Sequence, residues 1–306
     1  MRKAIGLVLL GLAGFLITVA LLALVYVPGH VEKTPVDVNS TTRLAGTAAA
    51  LPRGEPGPVR AVSRSVSDGE ASDDDVAVFD TFTCLMRAVP GADDCTEDMS
   101  DGSPLITAST DRFATDRTTA EAVNDEVYVG PAAEPHEGVV NKWPFHPQQR
   151  TYQYWDGLLG RAVDAVFSGE EEIDGLPVYR YQVSVSDEPA EISKGISGTY
   201  STNKTLWIDQ GTGAIIDQSE KQQRRLDSGA TVLDLDFGFT DETVAANVED
   251  AKGNNAQLSL IGRAPLVLGL LGLLCLAGGL FLLMERQRDD SGPNVTLEEL
   301  RTPSHR

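Results

Sequence analysis

Two long apolar stretches bracket one long polar segment in this chain. The stretches are residues 4–27 and 264–284, and neither contains Asp, Glu, Lys, Arg or His. At ~1.5 Å per residue, either stretch is long enough to cross a hydrocarbon core of ~30 Å as a helix. The pattern therefore predicts two transmembrane helices, with residues 28–263 outside the lipid.

Basic residues flank the apolar stretches on their outer sides. Arg2 and Lys3 precede the first stretch, and Arg286 and Arg288 follow the second. Lys and Arg are enriched in cytoplasmic flanks, and two crossings return the chain to the side on which it started. Both termini are therefore predicted to be cytoplasmic and the middle segment extracytoplasmic.

These assignments give a cytoplasmic leader (residues 1–3), an extracytoplasmic domain (residues 28–263) and a cytoplasmic tail (residues 285–306). A cleaved signal peptide is the alternative for the first stretch, but its apolar core is usually ~7–15 residues long and ends at a small-x-small site. A buried core helix is the alternative for the second stretch, and the length of that stretch disfavours it. We expect a two-span cell-membrane protein with an uncleaved signal anchor.

Short segments of alternating polarity occupy much of the middle segment. In residues 76–84, Val76 and Val78 alternate with Ala77 and Phe79, which is typical of a strand. Turn residues separate several such segments, which predicts a mainly β, antiparallel domain of barrel-like or sandwich-like form. Later strand candidates are residues 126–129, 150–155, 161–168, 177–185, 198–208, 214–224 and 231–240.

Two other parts of the middle segment follow different patterns. Residues 28–65 are rich in Thr, Pro, Ala and Gly, and the Pro and Gly residues at positions 52–58 predict a membrane-proximal tether. Residues 244–260 are predicted to form a helix that leads into the second apolar stretch.

The motif D-x-x-T-[AG]-x-[AI]-[VI]-[ND] occurs twice, starting at Asp116 and at Asp209. We interpret each copy as a structural turn in which Asp and Thr (Thr119 and Thr212) bond nearby backbone amides and Gly213 supplies a positive φ. A catalytic Asp or a cation-binding loop is the functional alternative, but the spacing shows no converging ligands. The repeat is consistent with a pseudo-duplicated domain.

Between these motifs lies an aromatic segment that holds five of the 19 Phe, Tyr and Trp residues of the chain. They are Trp143, Phe145, Tyr152, Tyr154 and Trp155. Aromatic side chains with a polar edge are enriched in pockets and interfaces. An aromatic corner of the core and the wall of an apolar ligand site are both consistent with this pattern, and the second makes these five residues the candidate ligand-binding residues.

Residues 28–263 carry 40 acidic and 19 basic residues, a net charge of −21. Such a charge disfavours nucleic acid and anionic surfaces as partners. Many of the acidic residues fall in loop-like runs, where solvation alone accounts for them. The same charge would also suit the binding of cations or basic peptides, or a salt-rich habitat.

The chain has three cysteines, and two of them lie in the middle segment. Cys84 and Cys95 are separated by Pro90 and Gly91, so a turn can bring them together and an oxidising compartment would join them. We predict a disulfide between them. Cys275 lies in the second apolar stretch and is interpreted as a packing residue.

Enzymatic motifs are absent from the sequence. There is no G-x-S-x-G, H-E-x-x-H, P-loop or dinucleotide-binding glycine pattern. Of the four histidines, only His136 and His146 can meet in the middle segment, so no metal site or cofactor is predicted. We expect a protein without enzymatic activity, and an envelope hydrolase of unrecognised type is the alternative.

Several motifs occur in a fixed order along the chain. They are the basic leader and the first span ending in Tyr26-Val27-Pro28, residues 143–145, 152–156, 175–181 and 206–217, and the final span. In this combination the chain is similar to the actinobacterial membrane proteins of the PorA family, a domain of unknown function. The resemblance implies a location in the cell envelope, and it implies no reaction and no catalytic residues. One departure is Asp209-Gln210-Gly211, where the family pattern commonly has Asp-Pro before Thr-Gly.

The arrangement of a β-rich domain between two terminal spans is also similar to that of scavenger receptors of the lipid-tunnel type. This similarity implies that the domain binds or transfers an apolar envelope molecule, a lipid or glycolipid. A non-catalytic scaffold or sensor is the alternative. A pore is disfavoured, because outer-membrane barrels cross lipid with strands and two apolar helices can line a pore only as an oligomer. Expected partners are membrane lipid and either a second copy of the chain or another membrane protein.

Overall fold

The computed structural model describes residues 2–26, 28–50, 55–91, 95, 103–193 and 195–289. The helices within these residues are α1 (Arg2–Tyr26), α2 (Pro28–Val31), α3 (Glu126–Val129) and α4 (Asp241–Asp289). The strands are β1 (Asn39–Ala50), β2 (Gly57–Ser67), β3 (Val76–Arg87), β4 (Leu105–Asp116), β5 (Tyr152–Asp156), β6 (Arg161–Ile173), β7 (Leu176–Ser193), β8 (Ile196–Asp209), β9 (Ile215–Leu226) and β10 (Thr231–Phe239).

The chain divides into two compact units. One unit consists of Met1–Val31 together with Gln257–Arg306, and the other is Glu32–Ala256, which we call the β domain. Helix α1 covers most of the first predicted span. The second predicted span lies within α4, which already begins at Asp241, so the helix predicted for residues 244–260 and the second span are one continuous helix. Both helices contain stretches long and apolar enough to cross a membrane.

In the first unit, α1 and the C-terminal part of α4 pack through small residues. Gly6, Ala13 and Ala20 are the buried residues of α1, and they recur every seventh position. A Cβ on Gly279 would lie 3.0 Å from the carbonyl oxygen of Gly6, and one on Gly272 would lie 2.8 Å from an α1 side chain. Small residues let two helices approach closely where lipid supplies no hydrophobic driving force. Most other apolar side chains of the pair are exposed, as expected for helices that face lipid.

The β domain is built on one ten-stranded antiparallel sheet. The strand order is β4-β3-β2-β1-β10-β9-β8-β7-β6-β5. Sequential strands are neighbours within β1–β4 and within β5–β10, and the pairing of β1 with β10 joins these two meanders. Strands β4 and β5 are the sheet edges, and the connection between them, residues 117–151, contains the N-terminal part of the aromatic segment.

The sheet is a curled half-barrel whose edges are linked at one point. Thr115 of β4 bridges Ala122, Glu121 bridges Val139, and Val139 bridges Tyr154 of β5. These short pairings continue the backbone hydrogen bonding from one edge strand to the other. The antiparallel β-rich architecture between terminal apolar helices is therefore confirmed.

The two edges also overlap. The strand registers place Phe79 and Phe113 on the same face of the sheet as Tyr154, which we call the inner face, and Trp155 on the outer face. Trp155 nevertheless packs in one buried cluster with Phe79 and Phe113. The outer side of β5 thus meets the inner side of β3 and β4, which explains why residues 76–79 are buried on both faces.

Helix α4 covers part of the outer face. Val248 and Ala251 pack against Leu176 and Val178 of β7 and Ile216 of β9. The register shifts between β8 and β9 at Ile208, and this irregularity turns Ile216 outward toward α4.

The interpretation of residues 28–65 as a tether is wrong for most of this range, because β1 and most of β2 lie within it. These strands contain few large apolar residues, and small buried side chains such as Ala48 and Ala61 form their inner face. Their strand character therefore depends on pairing with β10 and β3 rather than on local propensity. Of the prolines and glycines at positions 52–58, Pro52 and Gly54 lie outside the described residues, and Gly57 and Pro58 begin β2.

Two further differences concern local structure. Residues 126–129 were predicted as a strand but form the single helical turn α3, with the Asp125 side chain accepting a hydrogen bond from the Val127 amide. Strand β4 was not predicted, because its Thr, Ser and Ala residues at positions 107–110 are exposed and carry no alternation of polarity.

The predicted disulfide between Cys84 and Cys95 is confirmed. Cys84 is fully buried in β3, and its Cα lies 6.2 Å from that of Cys95. The bond closes the connection that follows β3.

Candidate functional site

The predicted ligand-binding aromatics separate into three environments. Trp143, Tyr152 and Tyr154 are buried on the inner face of the half-barrel and pack against Tyr181. The Trp143 ring lies 5.3 Å from the Tyr154 ring and 5.2 Å from the Tyr181 ring. These side chains fill the core at this position, which matches the core alternative for them.

Phe145 and Trp155 lie apart from this cluster. Phe145 is half-buried, and the Lys142 ammonium stands 3.8 Å above its ring centre. Trp155 packs against His136 in a tilted arrangement, with 4.3 Å between the ring centres, and borders an open cleft. Of the five predicted residues, Trp155 is the one that lines this cleft.

The two D-x-x-T copies form turns of the same geometry. Asp116 Oδ1 accepts hydrogen bonds from the amide and the hydroxyl of Thr119 at 2.7 and 3.0 Å. Asp209 Oδ2 accepts the equivalent bonds from Thr212 at 2.6 Å each. Burial opposes ionisation of Asp116, but the amide and hydroxyl bonds from the threonines outweigh it and lower the pKa of this carboxyl.

The residue that follows each Thr has a positive φ. Gly213 has φ of 74°, and the corresponding Ala120 has φ of 60°. A Cβ on Gly213 would lie 2.3 Å from the carbonyl oxygens of Trp143 and Pro144, so only glycine fits there. Ala120 accepts the conformation with its methyl group buried in the core.

The segment 143–146 joins the two turns. The Trp143 amide donates to Gly213 O at 2.8 Å, and the His146 amide donates to Gly211 O at 2.9 Å. On the other side, the Phe145 amide donates to Thr118 O at 3.4 Å. Both turns are therefore bonded to this one segment, the Asp209 turn through Trp143 and His146 and the Asp116 turn through Phe145.

Each turn also holds one end of the β domain. The Thr34 amide donates to Arg117 O at 2.8 Å, and Arg117 Nε donates back to Thr34 O at 2.7 Å. Asn255 of α4 donates from Nδ2 to Asp209 Oδ1 at 2.8 Å. Thr34 and Asn255, which lie close to the two ends of the domain, are thus tied to the two turns by direct hydrogen bonds.

An open cleft of about 910 Å³ runs beside edge strand β4. Strands β2, β3 and β4 form one wall, and residues 129–136 with the end of β5 form the other. Its apolar lining residues are Val66, Phe82, Val129, Ala132, Ala133 and Trp155, and its polar or charged ones are Arg64, Asp80, Thr81, Ser109, Thr110, Asp111, Arg112, Glu134 and His136.

Ion pairs fix the charged side of the cleft. Arg112 Nη1 donates to both Asp80 carboxylate oxygens, at 2.9 and 2.8 Å, and Nη2 donates to Asp68 at 2.9 Å. The hydrogen bond to Asp68 raises the pKa of Arg112 further, and the same bond lowers the pKa of Asp68. The guanidinium therefore stays charged and ties β4 to β3 and to the residue that follows β2.

A second polar cluster lies inside the half-barrel. Lys204 Nζ is 3.3 Å from Glu220 Oε2, and the other Glu220 oxygen accepts from Thr202 at 2.9 Å and Gln222 at 3.0 Å. Burial disfavours the Lys204 ammonium, but the Glu220 charge outweighs burial and raises the pKa of Lys204. This paired cluster fills the inner face next to Tyr154.

The two histidines of the β domain do not meet. His136 Nε2 contacts Asp111, whereas the exposed His146 contacts Glu32 at 3.2 Å. Within the described ranges, no three His, Cys, Asp or Glu side chains converge as metal ligands. Sequence reasoning missed the cleft because its walls come from β4 and residues 129–136, which carry no motif.

A ten-stranded β domain connected to two helices of membrane-spanning length, with a lateral cleft at a sheet edge, defines a class of helix-anchored β-domain proteins. Within this class the chain belongs to the PorA family. The family model described as "Porin PorA" matches residues 5–281.

Two relatives share this description. Porin PorA of Corynebacterium resistens is 24% identical over 325 aligned positions, which cover 74% of this chain and 76% of that protein. Porin PorA of Corynebacterium amycolatum is 28% identical over 134 positions, which cover 40% of this chain and 32% of that protein. Among solved structures, a putative outer membrane lipoprotein-sorting protein domain from Vibrio parahaemolyticus aligns with a TM-score of 0.18 at 9% identity. The alignment covers 72% of this chain and 90% of that one. This TM-score is too low to support an argument.

The two turns provide a matched pair of substitutions. We expect Gly213→Ala to lower the free energy of unfolding by about 3 kcal/mol or more, because the new methyl group would overlap the Trp143 and Pro144 carbonyls. Ala120→Gly should change it by less than about 1 kcal/mol. Chemical unfolding of the full-length protein in detergent measures both, and equal effects would contradict the difference between the turns.

Lys142 generates a pH prediction. Burial lowers the pKa of Lys142 to about 8, although the Asp209 charge opposes this. Between this value and the ordinary value of 10.5 the unfolded chain binds more protons, so stability rises as pH increases through that window. Below pH 8 the folded state keeps the cost of the buried charge.

Lys142→Met should therefore raise the free energy of unfolding at pH 7 by about 1–3 kcal/mol and abolish the rise of stability with pH. Urea unfolding from pH 7 to 10 measures this, with the exposed Lys221→Met as the control; a rise that persists in Lys142→Met would contradict the assignment.

Proposed function

We propose that the protein is a two-span cell-envelope membrane protein whose extracytoplasmic β domain binds an amphiphilic envelope molecule, a lipid or glycolipid, in the cleft beside β4. It acts by binding and not by catalysis. The observation that carries the proposal is the cleft, whose volume of about 910 Å³ lies in the upper part of the ~300–1,000 Å³ range of ligand pockets.

The lining of the cleft favours an amphiphile. Val66, Phe82 and Val129 supply apolar surface, and Trp155 supplies an aromatic ring with a polar edge. The charged lining groups are two arginines and three carboxylates, which nearly balance. An uncharged or zwitterionic head group therefore fits this cleft better than a strongly anionic one.

The topology is part of the same proposal. Two helices of membrane-spanning length and the relatives' name "Porin PorA" support a place in the cell envelope. The positive flanks Arg2, Lys3, Arg286 and Arg288 favour cytoplasmic termini. In this arrangement residues 28–263 lie outside the cytoplasm, and the residues 1–3 and 285–306 lie within it.

A pore is the second candidate, and the name of both relatives favours it. The half-barrel interior does not suit a channel, because Trp143 and the Lys204–Glu220 cluster fill it. A pore would instead need several helix pairs around a common axis. Conductance steps from purified protein in a planar bilayer would favour this candidate over ligand binding.

The oxidation state of the cysteines tests the topology. In intact cells we expect Cys84 and Cys95 to be oxidised, because thiols exposed to the cytoplasm are kept reduced. Free thiols are blocked with an alkylating reagent during lysis, and the tryptic peptides are then identified by mass spectrometry. Cys275, the free cysteine of α4, is the internal control for complete alkylation. Quantitative alkylation of Cys84 and Cys95 would contradict an extracytoplasmic β domain.

Ligand binding is tested by filling the cleft. Full-length protein extracted from membranes in mild detergent should retain an amphiphile detectable by native mass spectrometry and by solvent extraction. Ala133→Trp places a large ring in the cleft and should reduce the retained amount about tenfold or more.

Val127→Trp is the matched control for this substitution. It lies in the same connection, its side chain is 74% exposed, and it does not line the cleft. It should retain as much ligand as the original protein. Absence of ligand from the original protein, or equal retention in Ala133→Trp, would contradict binding in the cleft.

A further inference from the structure

His136 lies at the end of the cleft wall formed by residues 129–136. Its side chain is nearly fully buried, between the rings of Phe113 at 5.5 Å and Trp155 at 4.3 Å. Its Nδ1 lies 2.9 Å from the Glu134 carbonyl oxygen, and its Nε2 lies 2.8 Å from Asp111 Oδ2. Both ring nitrogens therefore face oxygen atoms.

The chemistry of these two partners restricts the proton count of the ring. A backbone carbonyl can only accept a hydrogen bond, and an ionised carboxylate also only accepts. A neutral imidazole has one N–H and can satisfy one of the two partners, whereas an imidazolium has two and satisfies both. Both partners are thus satisfied at the same time only by a doubly protonated ring.

We propose that His136 is a proton-dependent latch that holds the wall of residues 129–136 against β4 and so controls access to the cleft. The inference rests on the proposed function, because it assigns a regulation to the same cleft. With both nitrogens protonated, the ring joins Asp111 of β4 to the wall. Loss of one proton removes one of these bonds and leaves an acceptor facing an acceptor.

The other groups around His136 do not replace this contact. On β4, Asp111 is the carboxylate that pairs with the ring, and the neighbouring Arg112 is bound to Asp80 of β3. From the wall itself, Glu134 contributes its backbone oxygen. The faces of the ring meet Phe113 and Trp155, whose π-electrons favour the cation.

The remaining contacts of the wall are independent of this proton. Asn124 holds the His136 backbone at both its amide and its carbonyl, at 2.8 and 2.7 Å. Tyr128 donates its hydroxyl to Asp73 at 2.7 Å, a bond that lowers the pKa of Asp73 and raises the pKa of Tyr128. Both groups therefore keep their charge state near neutral pH. The wall stays attached at these points, and the His136–Asp111 contact is the one that responds to a proton.

Hydrogen exchange of the full-length protein, freed of ligand in detergent, tests the latch. After correction for the intrinsic pH dependence of exchange, the amides of residues 128–136 should be about tenfold less protected at pH 8 than at pH 5.5, the loss expected for one charge-assisted hydrogen bond. His136→Gln should show no such difference between the two pH values.

Asp111→Asn tests whether the contact between His136 and residue 111 depends on a proton or has only a structural role. An Asn side chain can donate to an unprotonated Nε2 and accept from a protonated one, so this variant should keep the wall protected at both pH values. His146→Gln, which removes the other histidine of the β domain, should behave like the original protein.

The outcomes distinguish the two proposals. A pH-dependent change that survives in His136→Gln, or no change in the original protein, would overturn the latch even where a ligand is retained. A latch without any retained amphiphile would overturn the proposed function and leave His136 as a proton-dependent contact. The original protein would support the ligand-binding proposal and the latch together if it retained different amounts of ligand at pH 5.5 and pH 8. Asp111→Asn should then retain the same amount at the two pH values.

Discussion

The β domain depends on the hydrogen bonds that two aspartates make to their own turns. Asp116 and Asp209 each hold the Thr three positions later, and the segment 143–146 is bonded to both turns. One turn holds Thr34 and the other holds Asn255, close to the two ends of the domain. Short stretches that are far apart in sequence are therefore fixed at one place, and the long β4–β5 connection gains a defined path between the sheet edges.

This arrangement divides the domain into a filled interior and an open seam, by which we mean the line along which the edge strands β4 and β5 meet. Trp143 enters the interior from the 143–146 segment, and Lys204 and Glu220 pair with each other there, so this part is a packed core. At the seam, the bridges through Glu121 and Val139 link the edge strands at one point only. The cleft lies where this linkage ends. A ligand bound in the cleft, as proposed above, would enter from the side without opening the core.

Sequence patterns predicted the parts of this structure that local chemistry determines. The apolar helices, the strands with alternating large residues and the disulfide of Cys84 and Cys95 all have a signal within a few residues. Strand β1 was missed because Ala48 is buried by its partners and not by its own pattern. The aromatic segment was recognised, but whether Trp143 lines a pocket or fills a core depends on Tyr181, which lies 38 positions away and is brought near by strand pairing. The place of His136 in the cleft wall had no signal in the sequence.

The pairing of β1 with β10 also orders the folding of the domain in time. Leu44 lies opposite Phe239, 195 positions later in the chain, so the outer hydrogen bonds of β1 remain unmade until nearly the whole domain has been synthesised. Until then, the meander of β1–β4 has an unpaired edge at β1. An unpaired strand edge can form hydrogen bonds with the strands of other chains. Any factor that shields nascent strand edges will therefore act in the interval between the synthesis of β4 and that of β10.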